Sequence, residues 1–186
     1  MPPYAALLRG ISPTNPNMHN EKLRAVFEGL GYRKVQTVIS SGNVLFESPS
    51  KNTKSLEAAI EKALFEKLGI RSTTIIRSKE ELQKLADKDP FGKLEHSKTV
   101  YLTVTFLKTP TKAKLPPPQL SYRVLEMYDR EVCTSTDLAS TRGPELMLWL
   151  EKQFGKQITT RTYKTVNRIL EKMGQFNLQN KPSGEP

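Results

Sequence analysis

The chain has 186 residues, of which 37% are apolar and 26% are charged, so it can form one ordinary domain or two small ones. Its 29 Lys and Arg residues exceed its 19 Asp and Glu residues, and the formal charge of +10 favours an anionic partner. A single cysteine, Cys133, excludes an internal disulfide, and no apolar run approaches the ~20 residues of a transmembrane helix. We therefore expect a cytoplasmic protein without a membrane segment.

Residues 1–77 show the order strand, helix, two strands, helix, strand. Apolar residues at helical spacing predict the helices, and β-rich runs bounded by Gly, Pro or Asn predict the strands. The predicted elements are the strand 4–8, the helix 23–30, the hairpin strands 35–39 and 44–46, the helix 56–68 and the strand 73–76. This order is that of the ferredoxin-like split βαβ fold, an antiparallel sheet with both helices on one face.

Residues 78–174 are predicted to form a second half of the same kind. Its predicted elements are a capped helix 78–87, the strand 99–107, a proline-rich loop 109–119, the hairpin strands 122–128 and 132–136, and the helices 144–154 and 160–173. Residues 175–186 are predicted to be a flexible tail. The predicted fold class is α+β, with two tandem ferredoxin-like halves, antiparallel sheets and a C-terminal helix. Similar helix ends, EKALFEKLGI and EKQFGKQI, indicate a structural repeat.

Three segments carry a resemblance to a known family: YAALLRGI, MHNEKLRAVFEGLGYRKVQTVISSGNVLFES and ITTRTYKTV. In these the chain resembles the uncharacterised bacterial family catalogued as domain of unknown function 1697. The resemblance covers nearly the whole chain and implies two ferredoxin-like α+β halves in tandem. It implies no activity, cofactor or catalytic residue.

This chain departs from the pattern of that family in two places. Members usually have Asn-Val-Gly-Gly where residues 12–15 read Ser-Pro-Thr-Asn, and they commonly have Thr-Arg-Asn-Trp where Thr162 and Tyr163 follow Arg161. Both departures weaken the case for a ligand bound by those glycines or by that asparagine.

The first candidate site is an anion-binding corner at one end of the first predicted sheet. In the split βαβ fold the first strand runs antiparallel to the third, so the end of one lies beside the start of the other. An arginine fork, hydroxyl groups and the amides of a glycine turn suit a phosphate or a carboxylate. The corner consists of Arg9, Gly10, Ser40, Ser41, Gly42 and Asn43. Alternatively, Gly42 and Asn43 only form the turn and Arg9 pairs with a nearby acid.

The second candidate site is a basic stripe on the last predicted helix. At 100° per residue, its four cations fall within about 80° of one another, and such a row suits the phosphates of nucleic acid. They are Arg161, Lys164, Arg168 and Lys172. Alternatively, the stripe is the solvated outer face of a packed helix. The helix start, with Thr160 as a cap beside Arg161, is a further predicted anion site.

Other kinds of chemistry find little support in the sequence. His19, His96 and Cys133 are far apart and match no zinc spacing, and no phosphate loop or dinucleotide pattern is present. The exposed strands lack the aromatic pair on which RNA-recognition motifs stack bases. We therefore predict no metal and no cofactor.

The leading functional hypothesis is binding of an anionic partner, with nucleic acid first, through a basic surface. One alternative is an enzyme or sensor for a small phosphorylated or carboxylated metabolite bound near Arg9, Asn43 and Arg161. A second alternative is a protein-interaction module. None of these implies a membrane partner or a particular oligomeric state.

Overall fold

The computed structural model describes residues 1–40, 42–117, 119, 121–140 and 144–176. Within them the chain forms two four-stranded antiparallel sheets and five α-helices, which confirms the predicted α+β class. The contacts divide the chain into two compact units. Unit 1 comprises Met1–Gln83 with the described residues from Asn167 on, and unit 2 comprises Lys84–Val166. No helix in the described part of the chain has the length and apolar character needed to cross a bilayer.

The sheet of unit 1 has the strand order of the predicted split βαβ fold. Its elements are β1 (Pro3–Leu8), α1 (Asn20–Gly29), β2 (Arg33–Thr37), β3 (Asn43–Glu47), α2 (Thr53–Leu68) and β4 (Thr74–Ser78). The strands are ordered β2-β3-β1-β4, and every neighbouring pair is antiparallel. A 3₁₀ turn at Pro16–Met18 precedes α1.

Helices α1 and α2 cover one face of this sheet because their apolar residues recur at helical spacing. Leu23, Val26 and Phe27 of α1, with Ile60 and Leu64 of α2, are buried in one apolar cluster. The strand residues of the cluster are Tyr4, Ala6, Leu8, Val44, Phe46 and Ile76. The alternate strand residues, Ala5, Leu7, Leu45 and Ile75, are fully buried as well. The three strands β1, β3 and β4 are therefore buried on both faces.

The sheet of unit 2 repeats this order with one helix fewer. The next elements are α3 (Lys79–Asp87), β5 (Val100–Leu107), β6 (Tyr122–Met127), β7 (Glu131–Asp137), α4 (Glu145–Phe154), β8 (Ile158–Thr162) and α5 (Tyr163–Gln175). The strands are ordered β6-β7-β5-β8. Where α1 links the first two strands of unit 1, the proline-rich loop links β5 to β6 without a helix among its described residues. Helix α4 packs on the apolar end of the sheet, around Leu107, Val132 and Ile158.

The predicted start of the last helix is wrong. Residues 158–162 form strand β8, which pairs with β5 from Leu107↔Ile158 to Thr103↔Thr162. Four of the five residues in ITTRT are β-branched, and β-branched side chains favour strands. Helix α5 begins after them, where the Thr162 hydroxyl accepts a hydrogen bond from the Thr165 amide at 3.2 Å.

The division into units differs from the predicted boundaries 1–77, 78–174 and 175–186. The contacts divide α3 after Gln83 and α5 after Val166. Gln175 is the last residue of α5, and Phe176 is buried, although both fall in the predicted tail. Residues 177–186 of that tail lie outside the described residues.

Candidate anion-binding sites

The end of the unit 1 sheet brings Arg9 beside the hairpin turn, as its topology predicts. The Leu8 amide donates to the Gly42 carbonyl at 2.8 Å, and Leu7 pairs with Asn43 in the β1–β3 register. The Arg9 backbone continues toward β4, since its amide donates to the Thr73 carbonyl at 2.9 Å. The predicted convergence of the two strand ends is therefore present.

Asn43 closes the hairpin from inside. It is 1% exposed, and its Nδ2 donates to the Val38 carbonyl at 2.9 Å. The Val38 amide donates in return to the Asn43 carbonyl, also at 2.9 Å. The amide nitrogen of this side chain therefore makes a hydrogen bond within the turn, which is the role that the alternative interpretation gives to Asn43.

The two glycines of the corner have different reasons to be glycine. Both have positive φ, +74° in each case. A Cβ on Gly42 would lie 2.6 Å from Ile11 Cγ1 and 3.1 Å from Leu8 Cβ, whereas a Cβ on Gly10 would meet no atom within 4 Å. Gly42 is thus required by space and conformation, and Gly10 by conformation alone.

The remaining corner residues face the surface. Ser40 is exposed, with its Oγ 3.5 Å from Asn20 Nδ2, and Arg9 is half-buried. Ile39, beside Ser40, has φ of +60°, which is rare for a β-branched residue. Ser41 lies outside the described residues. The corner therefore offers a strained turn in which part of the predicted ligand-binding chemistry is used internally.

Thr160 and Arg161 lie in strand β8 of unit 2, so the predicted anion site at a helix start formed by Thr160 is wrong. The Thr160 hydroxyl is 2.8 Å from that of Thr105. Arg161 is half-buried, and its Nη1 donates to Thr159 Oγ1 at 2.8 Å and to the Thr160 carbonyl at 2.9 Å. Burial of the guanidinium lowers the pKa of Arg161 to about 10.

Arg161 has a counterpart in unit 1 that the sequence analysis missed. Arg77 is the fourth residue of β4, as Arg161 is of β8, and its Nη1 donates to the Ile76 carbonyl at 2.9 Å. In both units the arginine precedes a hydroxyl residue that caps the following helix, Ser78 or Thr162. The signal lies in the segments TIIRS and ITTRT. Arg77 and Arg161 therefore occupy equivalent positions in the structural repeat.

The last helix retains three of the four predicted cations. Lys164, Arg168 and Lys172 are exposed along α5 and form what we call the basic face. None of their side chains has an ion pair or hydrogen bond with another described residue. Val166, Ile169 and Met173 of the same helix are buried. Arg161 is not part of this face because its strand precedes the helix.

The thiol of Cys133 is unsuited to nucleophilic chemistry. It is fully buried, and burial, followed by the charges of Glu131 and Glu126, raises its pKa to about 12. Nucleophilic and metal-binding cysteines react as thiolates, so this residue acts as a small apolar side chain.

The two histidines also lie in structural positions. Nδ1 of His96 accepts from the Leu102 amide at 3.2 Å, and the ring stacks on Tyr101. His19 precedes the first residue of α1. In the part of the chain that the structure describes, no three His, Cys, Asp or Glu residues are placed to hold a metal ion.

Comparisons with known proteins agree with this fold. The conserved bacterial protein SP0830 from Streptococcus pneumoniae has a similar structure, with a TM-score of 0.71, 18% identity, and coverage of 92% of this chain and 98% of that one. At this identity the likeness shows the fold alone. None of the curated proteins is significantly similar in sequence.

The resemblance inferred from the LLRGI and SGNVLF segments is confirmed over the residues that contain them. The model of a family described as "Protein of unknown function (DUF1697)" matches residues 1–128, which include all of the unit 1 sheet and part of unit 2. The chain therefore belongs to the DUF1697 family of proteins of unknown function.

Proposed function

We propose that the protein binds nucleic acid through the basic face of α5. The observation that carries the proposal is that the side chains of Lys164, Arg168 and Lys172 are exposed and have no ion pair or hydrogen bond with a described residue. Glu171, which follows Arg168 by three residues, also forms no ion pair with a described residue. The face is therefore open to an external anion.

The spacing of these cations opposes helix stability when no anion is bound. Lys164, Arg168 and Lys172 stand four residues apart, and like charges at this spacing destabilise a helix by about 0.2–0.5 kcal/mol per pair. A bound phosphate backbone would offset this repulsion. Without a bound anion the repulsion would remain.

The length of the face suits several phosphates at once. Eight residues of α-helix rise about 12 Å, from Lys164 to Lys172. One strand of duplex DNA carries a phosphate about every 3.4 Å along its axis, so three cations can each meet a phosphate. Contacts to phosphates bind without regard to base sequence, and we expect little sequence preference.

The test measures binding of a labelled DNA duplex, and of one of its single strands, by fluorescence anisotropy at several salt concentrations. Three phosphate contacts predict that log K falls with log salt with a slope of about −2.7 on duplex DNA. The variant Arg168→Glu with Lys172→Glu should bind more weakly and show a slope of smaller magnitude.

The matched control is Lys51→Glu with Lys54→Glu, which changes the formal charge equally at two exposed lysines of unit 1. This control should keep most of the affinity. Equal losses in the two variants would show a general charge effect, and absence of binding at low salt would contradict the proposal outright.

The metabolite hypothesis stays a prediction without a supporting contact. The amide nitrogen of Asn43 and the guanidinium of Arg161 both make hydrogen bonds within the fold. The protein-interaction hypothesis likewise stays a prediction.

A further inference from the structure

A cavity in unit 2 lies where α4 begins, on the face of the sheet that this helix covers. Its volume is about 220 Å³. Its lining comes from all four strands of the sheet, from the start of α4 and from the segment before it. The cavity belongs to neither the basic face nor the Arg9 corner.

The two units differ in the side chains at this place in the sheet. The two sheets can be aligned by their strand pairing. In unit 1, Tyr4 of β1 pairs with Phe46 and with Ser78. In unit 2, Thr103 of β5 pairs in the same way with Thr134 and with Thr162. In this alignment the buried residues Tyr4, Ala6 and Phe46 correspond to Thr103, Thr105 and Thr134. Unit 2 therefore has a row of hydroxyls where unit 1 has an apolar core.

The missing helix explains why space remains above these threonines. In unit 1 the face is filled by α1 and α2, with Phe27 packed at 5.5 Å from the Phe46 ring. In unit 2 the proline-rich loop replaces the first helix, and the apolar residues of α4 pack mainly on the other end of the sheet. Among the described residues, no helix between β5 and β6 covers the sheet face near Tyr101 and Thr136.

The lining of the cavity favours a small neutral ligand. Its apolar side is formed by Leu138, Pro144, Leu146 and Met147, and its hydroxyl side includes Thr103, Thr136 and Thr160. None of the described side chains that line it is charged. The hydroxyl of Ser121, another lining residue, is hydrogen-bonded to the carboxylate of Glu145, so an anionic ligand would meet a negative charge and no cation among the described lining residues.

The hydroxyl side offers a specific polar contact. Thr103 and Thr160 already share hydrogen bonds with Thr134 and Thr105, at 2.7 and 2.8 Å. Thr136 makes no hydrogen bond to another described side chain, and its hydroxyl is not sealed from solvent. This hydroxyl can donate to or accept from a ligand.

From these observations we infer that the cavity is a binding site for a neutral molecule with one ring and one hydroxyl or carbonyl group. An enclosed cavity of roughly 150 Å³ holds a benzene ring, so a volume of about 220 Å³ accommodates a single substituted ring. The ring packs against the apolar side, and its polar group meets Thr136. This site is independent of the proposed nucleic-acid binding.

The test uses phenol as the probe and follows the methyl signals of labelled methionines by NMR. Phenol should shift the signal of Met147, which lines the cavity, in a saturable way and leave that of Met18 in unit 1 unchanged. Toluene, which lacks the hydroxyl, should bind more weakly, and benzoate, which is charged, should not bind. Benzoate binding as tight as that of phenol would overturn the neutral class.

Two variants locate the site. Thr136→Val should weaken phenol binding roughly two- to tenfold, the effect of one hydrogen bond, and an unchanged affinity would overturn the contact to Thr136. Leu138→Trp puts a larger side chain at an exposed residue of the lining and should abolish the saturable shift. Leu148→Trp, on an exposed residue of α4 outside the cavity, is the matched control and should bind phenol as the natural chain does. A wild-type shift that does not saturate, or that Leu138→Trp leaves intact, overturns the site.

Discussion

At the scale of single residues, the turn between β2 and β3 shows how closely two strand ends approach. Gly42 lies against Ile11 and Leu8, and its carbonyl accepts the Leu8 amide. Gly10 has the same φ but open space around it. Comparing a substitution at Gly10 with one at Gly42 therefore separates the conformational cost of adding a side chain from its steric cost.

We expect Gly10→Ala to destabilise the protein by about 1–2 kcal/mol, the cost of a left-handed non-glycine residue. Gly42→Ala should cost this amount plus about 1–3 kcal/mol, since Ile11 and Leu8 must move. The free energies of unfolding in urea give both values. Equal losses in the two variants would mean that the contact with Ile11 relaxes without cost.

The sequence predicts the turn around Gly42 but not its packing. A Ser-Ser-Gly-Asn run between β-rich segments is typical of a hairpin, whatever surrounds it. That Asn43 is buried and donates to Val38 depends on the neighbouring strand, β1, which covers the turn from a distant part of the chain. The approach of the two strand ends can therefore be predicted from the sequence, while the use of the side chains there depends on tertiary contacts.

At the scale of elements, strand β4 is an edge whose outward amides are satisfied by carboxylates. The amides of Thr74 and Ile76 donate to Glu61 and Glu57 of α2, at 2.7 and 2.9 Å, and that of Ser78 donates to Glu81 of α3 at 2.7 Å. Unpaired strand edges invite pairing with other chains, and these carboxylates close this one.

Glu57→Ala should destabilise the protein by about 1–3 kcal/mol, since it leaves the buried Ile76 amide without this acceptor. It should also speed hydrogen exchange at that amide. Glu66→Ala, at an exposed position of the same helix, is the matched control and should change stability little. An Ile76 amide that exchanges as slowly as in the natural chain would contradict this role for Glu57.

Most elements follow from sequence periodicity, and the exceptions have physical causes. Helices α1 and α2 and strand β5 show clear periods of 3.6 and 2, so they were predicted. Strand β8 was missed because the charges of Arg161 and Lys164 fit a helical spacing, although its β-branched residues favour a strand. The hydrogen bonds from the β4 amides to carboxylates of α2 depend on how the helix packs along the strand, and sequence periodicity does not specify that packing.

At the scale of the whole molecule, unit 1 is built from two distant parts of the chain. Lys34, at a bulge in β2 with φ of +49°, forms an ion pair with Glu47 at 3.0 Å. Its Nζ also donates to the carbonyl of Phe176, just after α5, at 2.9 Å. A cation at the C-terminal end of a helix is favourable because it meets the negative end of the helix dipole.

Phe176→Ala should destabilise unit 1 by about 3–5 kcal/mol, as expected for a buried phenylalanine. Amides of β2 and β3 should lose protection from hydrogen exchange in this variant. Gln175→Ala, an exposed neighbour at the end of α5, is the control and should leave both readouts unchanged. Unaltered exchange in β2 and β3 would show that the segment after α5 adds little to unit 1.

The division of unit 1 has a consequence for the order of events during synthesis. Domains ordinarily fold from the N-terminus as they leave the ribosome. Here the first 83 residues lack their remaining contacts until translation reaches the segment from residue 167 to 176, after all of unit 2 has been made. The unit whose sheet is translated first is thus the one completed last, because more than eighty codons separate Gln83 from Asn167, where its second part begins.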